Sequence, residues 1–150
     1  MGFVVGYYTS SRNDGISPPA TNTIAIPGST VHLSVLAGQM SAMNGYYIGG
    51  LMSPTVVVKT GAIVTIYFSN IDAASNRSLV ISSSGPPYGV DFRPVPAFPG
   101  AETPNPYTGV PPGESATFTF TASTAGTYWY VCGIPGHAAM GMYGKFVVQA

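Results

Sequence analysis

The sequence is poor in charged residues, and this limits the partners that the protein can bind. Only 7% of its 150 residues are charged, and five Lys and Arg residues balance five Asp and Glu residues. A neutral chain lacks the basic excess that is typical of nucleic-acid binding, so no nucleic-acid partner is expected. Because 45% of the residues are hydrophobic, the chain also lacks the composition of a disordered protein. We therefore expect a single folded domain over residues 1–150, long enough to bury a core.

Cysteine and long apolar runs are also scarce. A single cysteine excludes a disulfide within the chain, and no apolar run is long enough for a membrane-spanning helix. Residues 1–22 begin with the short apolar stretch "GFVVGYY". This segment is interpreted as a flexible start, as a strand or as the trimmed end of a removed signal or anchor. Any association with a membrane would then depend on that anchor alone.

The small number of carboxylates suggests where the protein works. Fewer carboxylates mean fewer groups whose protonation destabilises a fold in acid. A lone thiol outside the cytoplasm must be buried or coordinated if it is to escape oxidation. The composition therefore suggests an acidic, extracytoplasmic setting, although an ordinary β-protein rich in Ser, Thr and Gly would have a similar composition.

Short β-branched and aromatic runs separated by Gly and Pro predict an all-β fold, a sandwich or a barrel. In runs that alternate, residues two apart share a face, so Phe118 and Phe120 should point inward together. The same rule places Cys132 at the end of a strand and facing the core, with Trp129 on the opposite face. The proline-rich segment 84–113 lacks a strand pattern and is predicted to be a stiff loop that covers the sandwich. The predicted strands span residues 30–37, 55–59, 63–69, 78–82, 115–121, 126–132 and 144–149.

The stretch "VCGIPGHAAMGMYG" (131–144) carries the chemistry of the chain. Cys132, His137 and Met142 provide a thiolate, an imidazole and a thioether within one loop between two predicted strands. Blue-copper sites combine one thiolate and two imidazoles with a weak axial thioether, so the loop predicts a mononuclear copper site. Gly133 and Gly136 would allow the backbone to approach closely, and Pro135 would stiffen the loop.

Other chemistries fit these residues less well. A Cys132–His137 nucleophilic pair has no Asp or Asn to orient the imidazole, and its thiol would face a packed interior. A structural zinc site needs four N or S ligands, which one cysteine and two histidines cannot supply. A binuclear copper centre would need a second cysteine, and multicopper oxidase or nitrite reductase chemistry would need further histidines.

The sequence resembles the cupredoxins, most closely the sulfocyanin and rusticyanin group of acidophiles. The matching segments are "PPGESATFTFTASTAGTYWYVCGIPGHAAMGMYGKFVV" (111–148), "MNGYYIGG" (43–50) and "TVVVKTGAIVTIYFSN" (55–70). The resemblance implies a Greek-key β-sandwich with a long Pro/Gly-rich loop insertion and one type 1 copper ion. It also implies a one-electron carrier outside the cell membrane that is not an enzyme.

The resemblance assigns roles to residues of the C-terminal loop. By the C-x4-H-x4-M spacing, Cys132 and His137 would be equatorial ligands and Met142 the axial ligand. Met140 has the wrong spacing and is expected at the surface or in packing. The residues around His137 (Ile134, Pro135, Ala138, Ala139 and Met140) would form an apolar patch where redox proteins dock briefly.

The chain departs from the family at one ligand. The second histidine is expected in a segment of the type H-S-L-V-I, but this chain has "NRSLVIS", with Arg77 in its place. Alternation points Arg77 inward with Leu79 and Ile81, and a guanidinium has no lone pair to donate. His32 alternates with Val31 and Leu33, so we expect it on an exposed strand face and not at the metal.

A missing imidazole leaves three outcomes open: weak copper binding completed by water or an outside ligand, no metal, or pairing of Arg77 with the Cys132 thiolate. Such a pair would lower the pKa of the cysteine. Two functions follow: a sulfocyanin-like copper electron carrier, or a copper-free scaffold that serves as a redox-silent binding or structural module. In either case Arg77 could be natural or introduced.

Overall fold

Two five-stranded sheets form the protein. A computed structural model describes residues 22–40 and 43–150, and all elements named below lie in those residues. One sheet has the strand order β1-β5-β10-β9-β7, and the other has the order β4-β3-β2-β6-β8. The strands are β1 (Thr23–Ala25), β2 (Thr30–Met40), β3 (Met43–Ile48), β4 (Leu51–Met52), β5 (Thr55–Lys59), β6 (Ile63–Asn70), β7 (Val80–Ser82), β8 (Ser115–Thr121), β9 (Gly126–Val131) and β10 (Tyr143–Gln149).

The predicted all-β sandwich is confirmed, and each of the seven predicted strands is present. Their bounds differ by up to three residues, the largest change being the extension of β2 to Met40. Three strands were not predicted. β1 and β4 have three and two residues, too few to show a period. β3 contains Asn44 and Gly45, which are unfavourable in strands, and is held by antiparallel pairing with β2.

The core lies between the inward faces of the two sheets. In β6, Val64, Ile66 and Phe68 are buried and alternate with more exposed residues, as a period of two requires. Phe118 and Phe120 on β8 both point inward, which confirms the alternation predicted there. Burying one such aromatic side chain stabilises the fold by about 2–3 kcal/mol.

The proline-rich segment 84–113 covers one edge of the sandwich, as predicted. Edge strand β7 and the residues before it receive backbone hydrogen bonds from this segment. The Ala97 N–H donates to the Ile81 carbonyl over 2.7 Å, and the Thr103 N–H donates to the Leu79 carbonyl over 2.9 Å. These bonds satisfy the strand edge, which would otherwise expose unpaired backbone groups. Phe98 anchors the segment in the core, with its ring centroid 4.8 Å from that of Tyr128.

The proposed N-terminal segment, residues 1–22, falls outside the described residues except for Asn22. Among the residues that are described, no helix is long and apolar enough to cross a membrane.

Truncating the anchor of the covering segment should destabilise the fold. We expect Phe98→Ala to lower the free energy of unfolding by about 3–4 kcal/mol, because it leaves a cavity against Phe120 and Tyr128. Urea titration measures the loss. The control is Val95→Ala in the same segment, where the side chain is exposed and the change should stay within about 0.5 kcal/mol. Equal effects of the two substitutions would contradict the anchoring role of Phe98.

Candidate metal centre

The candidate ligands lie on the loop that joins β9 to β10. These strands pair antiparallel, with Tyr143 opposite Val131, so the two ends of the loop lie side by side. The Cys132 N–H donates to the Met142 carbonyl over 3.1 Å and closes the loop. Cys132 and Met142 are therefore neighbours although they lie ten positions apart in the sequence.

A turn brings His137 back over the cysteine. The His137 N–H donates to the Ile134 carbonyl, and the His137 carbonyl accepts from the Met142 N–H over 3.1 Å. A 3-10 turn over Ala138–Met140 follows. As a result, Nδ1 of His137 lies 3.5 Å from Sγ of Cys132.

The two loop glycines act differently. A Cβ on Gly133 would lie 2.6 Å from the Pro106 carbonyl oxygen, so this glycine permits the predicted close approach of the backbone. Gly136 has open space around it and is needed for its φ of 86°, which residues with a side chain rarely adopt. The expectation of close approach is therefore correct at Gly133 and wrong at Gly136.

Cys132 faces the core as predicted, and the residue is 1% exposed. Burial raises the pKa of this thiol above its ordinary value, although the Ile134 and Ser78 backbone, the Ser78 hydroxyl and the Arg77 charge oppose that rise. Without a metal the cysteine therefore stays protonated at neutral pH. A soft cation at this position would displace the proton and stabilise the thiolate.

Ser78 fixes the wall of the pocket behind the thiol. Its hydroxyl donates to the Pro106 carbonyl over 2.7 Å and accepts from the Gly133 N–H over 2.8 Å. The Ser78 Oγ also lies 3.8 Å from Sγ of Cys132. On the other side, the buried Tyr46 hydroxyl donates to the Ser78 carbonyl. These bonds tie the loop, the covering segment and β3 together around the cysteine.

His137 is half-buried at the mouth of the pocket. Partial burial lowers the pKa of its imidazole, and the Arg77 charge lowers it further. The ring is therefore neutral over a wider pH range than a free histidine. Its Nδ1 faces the thiol, and a neutral imidazole nitrogen is the kind of donor that a transition metal binds.

Met142 is fully buried, whereas Met140 is 71% exposed. Of the two positions expected for Met140, at the surface or in packing, the structure shows the surface. The Met142 Sδ faces the pocket and lies 3.6 Å from Nη1 of Arg77. Among the methionines of this loop, only Met142 is placed to contribute a thioether.

Arg77 points inward as predicted and is 4% exposed. Its partner, however, is the Asp72 carboxylate, which accepts hydrogen bonds from Nε, over 3.0 Å, and from Nη2. Nη2 also donates to Oδ1 of Asn44 over 3.0 Å. Of the three outcomes left open by the sequence, the pairing of Arg77 with the Cys132 thiolate is therefore not the arrangement that the structure shows. The guanidinium is paired with the Asp72 carboxylate. Burial therefore keeps the pKa of the Cys132 thiol above its ordinary value.

Asp72 and Asn44 are site residues that the sequence did not reveal. Asp72 lies in the turn after β6, where its backbone N–H donates to Oδ1 of Asn70 over 2.9 Å. The polar run "NIDAASNR" (70–77) signals a turn, but a turn does not show that its carboxylate points inward. Asn44 comes from β3, the strand that the sequence failed to predict.

His32 lies away from the centre, as expected. It is exposed on β2, and its Nδ1 is 2.9 Å from the Tyr67 hydroxyl on the neighbouring strand β6. Over residues 22–40 and 43–150, no group of three or more His, Cys, Asp and Glu residues could hold a metal ion. In that part of the chain, a metal ion would depend on the sulfur ligands together with His137.

Comparison with known proteins agrees with this architecture. The family model of the sulfocyanin (SoxE) domain matches residues 20–150. The chain belongs to the sulfocyanin family of cupredoxins. The resemblance read from the loop motif is thereby confirmed.

Rusticyanin and sulfocyanin are among the relatives of this family member. Rusticyanin of Acidithiobacillus ferrooxidans is 36% identical over 135 residues, which cover 85% of this chain and 82% of that protein. Sulfocyanin of Sulfolobus acidocaldarius is 29% identical over 128 residues, covering 80% of this chain and 64% of that protein. The structure of reduced rusticyanin at 1.9 Å matches with a TM-score of 0.70 at 36% identity and covers 87% of each chain.

The side chains of the C-terminal loop fit a copper ion, whereas Arg77 does not. Two sulfurs and one imidazole nitrogen form the soft donor set that suits copper. On the side of Arg77 stands a cationic group without a lone pair. The donor set of Cys132, His137 and Met142 therefore fits copper, and the guanidinium of Arg77 does not.

The Arg77–Asp72 pair should govern the acid stability of this region. Partial desolvation acts to raise the pKa of Asp72, but hydrogen bonds from the Ala74 and Ser75 backbone and the Arg77 guanidinium outweigh it, so the pKa lies below its ordinary value of 3.8. A carboxylate with a lowered folded-state pKa stabilises the fold above its unfolded pKa. That contribution is lost as the pH falls through the folded-state value.

We therefore expect Asp72→Asn to lower the free energy of unfolding at neutral pH by about 3 kcal/mol, because it leaves the Arg77 charge buried and unpaired. The difference from the unmodified protein should shrink as the pH falls below about 4, since protonation removes the same charge. Urea titrations from pH 7 downward measure both effects. Asp91→Asn, at an exposed carboxylate, is the matched control. A stability difference that is independent of pH would contradict the ion pair.

Proposed function

We propose that this protein is an extracytoplasmic one-electron carrier that holds a single copper ion between Cys132, His137 and Met142. The observation that carries the proposal is the convergence of these residues on one pocket. Nδ1 of His137 lies 3.5 Å from Sγ of Cys132, and the backbone of Met142 is bonded to that of Cys132. Membership of the sulfocyanin family supports the same function.

The chain's own residues would hold, shield and expose the centre. Copper, when bound, supplies a one-electron couple, and no bond of a substrate is made or broken. Burial of Cys132 and Met142 excludes water from the sulfur ligands. The Ser78 hydroxyl and the loop hydrogen bonds hold the donors in place whether or not a metal is present, which favours a small change of geometry on electron transfer.

The half-exposed His137 provides the route by which electrons would enter and leave. The apolar patch around it includes Met140, which is 71% exposed, and the exposed Pro135 and Ala139. A small, uncharged surface suits brief contacts with redox partners, because weak redox encounters bury little area. The low charge of the chain and its buried thiol support an acidic, extracytoplasmic setting.

A copper-free scaffold is the second candidate function. The observation that favours it is the contact of Arg77 with Met142, since Nη1 lies 3.6 Å from the sulfur that copper would use. With Asp72 as its counter-ion, this cation fills part of the pocket without needing a metal. The protein would then be a binding or structural module that lacks a redox function.

Copper binding to the purified protein separates the two candidates. We expect one equivalent of copper to bind, and Cys132→Ser to abolish the binding because it removes the thiolate. The control Met140→Leu should bind like the unmodified protein, since its side chain lies at the surface. Equilibrium dialysis with metal analysis, performed without oxygen in the presence and absence of reductant, measures the stoichiometry. Absence of bound copper under both conditions would refute the carrier and support the copper-free module.

A further inference from the structure

The side of the pocket that lacks a ligand has a definite chemical consequence. Cys132, His137 and Met142 supply three donors, and the group beside the Met142 sulfur is the buried guanidinium of Arg77, 3.6 Å away, which cannot coordinate. Thiolate and thioether ligands select Cu(I), whereas Cu(II) favours tetragonal sites rich in N and O donors. The loss of an imidazole while both sulfurs remain therefore weakens the binding of Cu(II) more than the binding of Cu(I).

Arg77 cannot easily leave the pocket to admit a water ligand. Its Nε and Nη2 are bonded to Asp72, and Nη2 is also bonded to Asn44. The side chains of Arg77 and Asp72 are 5% and 10% exposed, so swinging the guanidinium outward would leave a carboxylate buried without its partner. Breaking such a pair is strongly unfavourable. The cation is thus a fixed part of the pocket wall.

The charge of Arg77 acts unequally on the two oxidation states. Its Nε and Nη2 face Asp72, while Nη1 faces the sulfur of Met142 over 3.6 Å. The positive end therefore lies nearer the pocket than the compensating carboxylate does. Coulomb repulsion at a given distance is twice as large for a doubly charged ion as for a singly charged one. Both the set of donor atoms and the positive charge of Arg77 therefore favour Cu(I) over Cu(II).

We infer that Arg77, held by Asp72 and Asn44, makes this pocket selective for Cu(I) over Cu(II). This inference rests on the proposed binding of copper by Cys132, His137 and Met142. Because a reduction potential follows the ratio of the two affinities, the selectivity also raises the potential of the centre. Each tenfold change in the ratio corresponds to 59 mV for a one-electron couple. As a carrier, the reduced protein would pass its electron only to strongly oxidising partners.

The test measures the affinities for Cu(I) and Cu(II) separately. Apo-protein is titrated without oxygen against a chromogenic Cu(I) chelator and, in a second series, against a buffered Cu(II) chelate. The variants are Arg77→His, which supplies an imidazole, and the double variant Arg77→Gln with Asp72→Asn, which removes both charges without supplying a ligand. His32→Ala is the control, because His32 lies exposed on the outer face of β2. Thermal melting of each apo-protein verifies that it is folded.

We expect the unmodified protein and His32→Ala to bind Cu(I) stoichiometrically and to bind Cu(II) weakly. Arg77→His should strengthen Cu(II) binding about 100-fold, the upper end of the effect that residues supporting a metal's ligands have on its affinity. Intense visible absorption and a Cu(II) electron paramagnetic resonance signal should appear with it. Its midpoint potential should fall by about 120 mV for a 100-fold change. The Cu(II) affinity of the double variant should lie between those of the unmodified protein and Arg77→His, because the double variant removes the repulsion but adds no imidazole.

Each other outcome decides against a specific claim. If the unmodified protein binds Cu(II) as tightly as Arg77→His does, the selectivity is refuted while the proposed copper carrier stands. If the unmodified protein binds neither ion, both the selectivity and the proposed function fail. If Arg77→His does not fold, the comparison with the double variant decides, and equal Cu(II) affinities there would refute the effect of the charge.

Discussion

The buried ion pair between Arg77 and Asp72 is the interaction on which the pocket depends. It joins the turn after β6 to the segment that leads into β7, and Asn44 adds β3 to the same network. A pair of this kind gives little net stability, since desolvation offsets most of the attraction, but the loss of one partner is costly. Arg77 is therefore tolerated in the core only while Asp72 is ionised and correctly placed. Gly38 allows that placement, because a Cβ there would lie 2.9 Å from the Asp72 backbone nitrogen.

A second set of hydrogen bonds, all made within the protein, holds the backbone around Cys132 in place. Ser78 connects the covering segment at Pro106 to the loop at Gly133, and Tyr46 reaches the Ser78 carbonyl from β3. The proposed donors for copper are thus held by groups whose hydrogen bonds are satisfied within the protein. This arrangement differs from small metal sites in which binding of the ion and folding are one event.

Local patterns in the sequence were enough to predict most of the strands, the C-terminal loop of the site and the inward direction of Arg77. They did not reveal Asp72 and Asn44. The period of two in β6 and β8 reports which residues face the core, and the same rule turned Cys132 and Arg77 inward correctly. The spacing of Cys132, His137 and Met142 reflects one hairpin, so it is visible in sequence. Asp72 and Asn44 were missed because their relation to Arg77 is made by tertiary packing. Alternation gives the direction of a side chain but not the partner that it meets.

Asp72 and Asn44, the two partners that the sequence did not reveal, change the expected charge of the pocket and the pKa of its thiol. With Arg77 considered alone, its charge would be drawn to the Cys132 thiolate and would lower the pKa of that thiol. Asp72 neutralises the guanidinium on one side and orients Nη1 toward Met142, and burial then keeps the thiol protonated. The pocket is therefore neutral when empty, and it gains one positive charge with Cu(II) but none with Cu(I) once the thiol has lost its proton. A protein interior accepts the neutral state far more readily than the charged one. On the proposed binding of copper, the Arg77–Asp72 pair would thus link the stability of the fold to the oxidation state that the pocket selects.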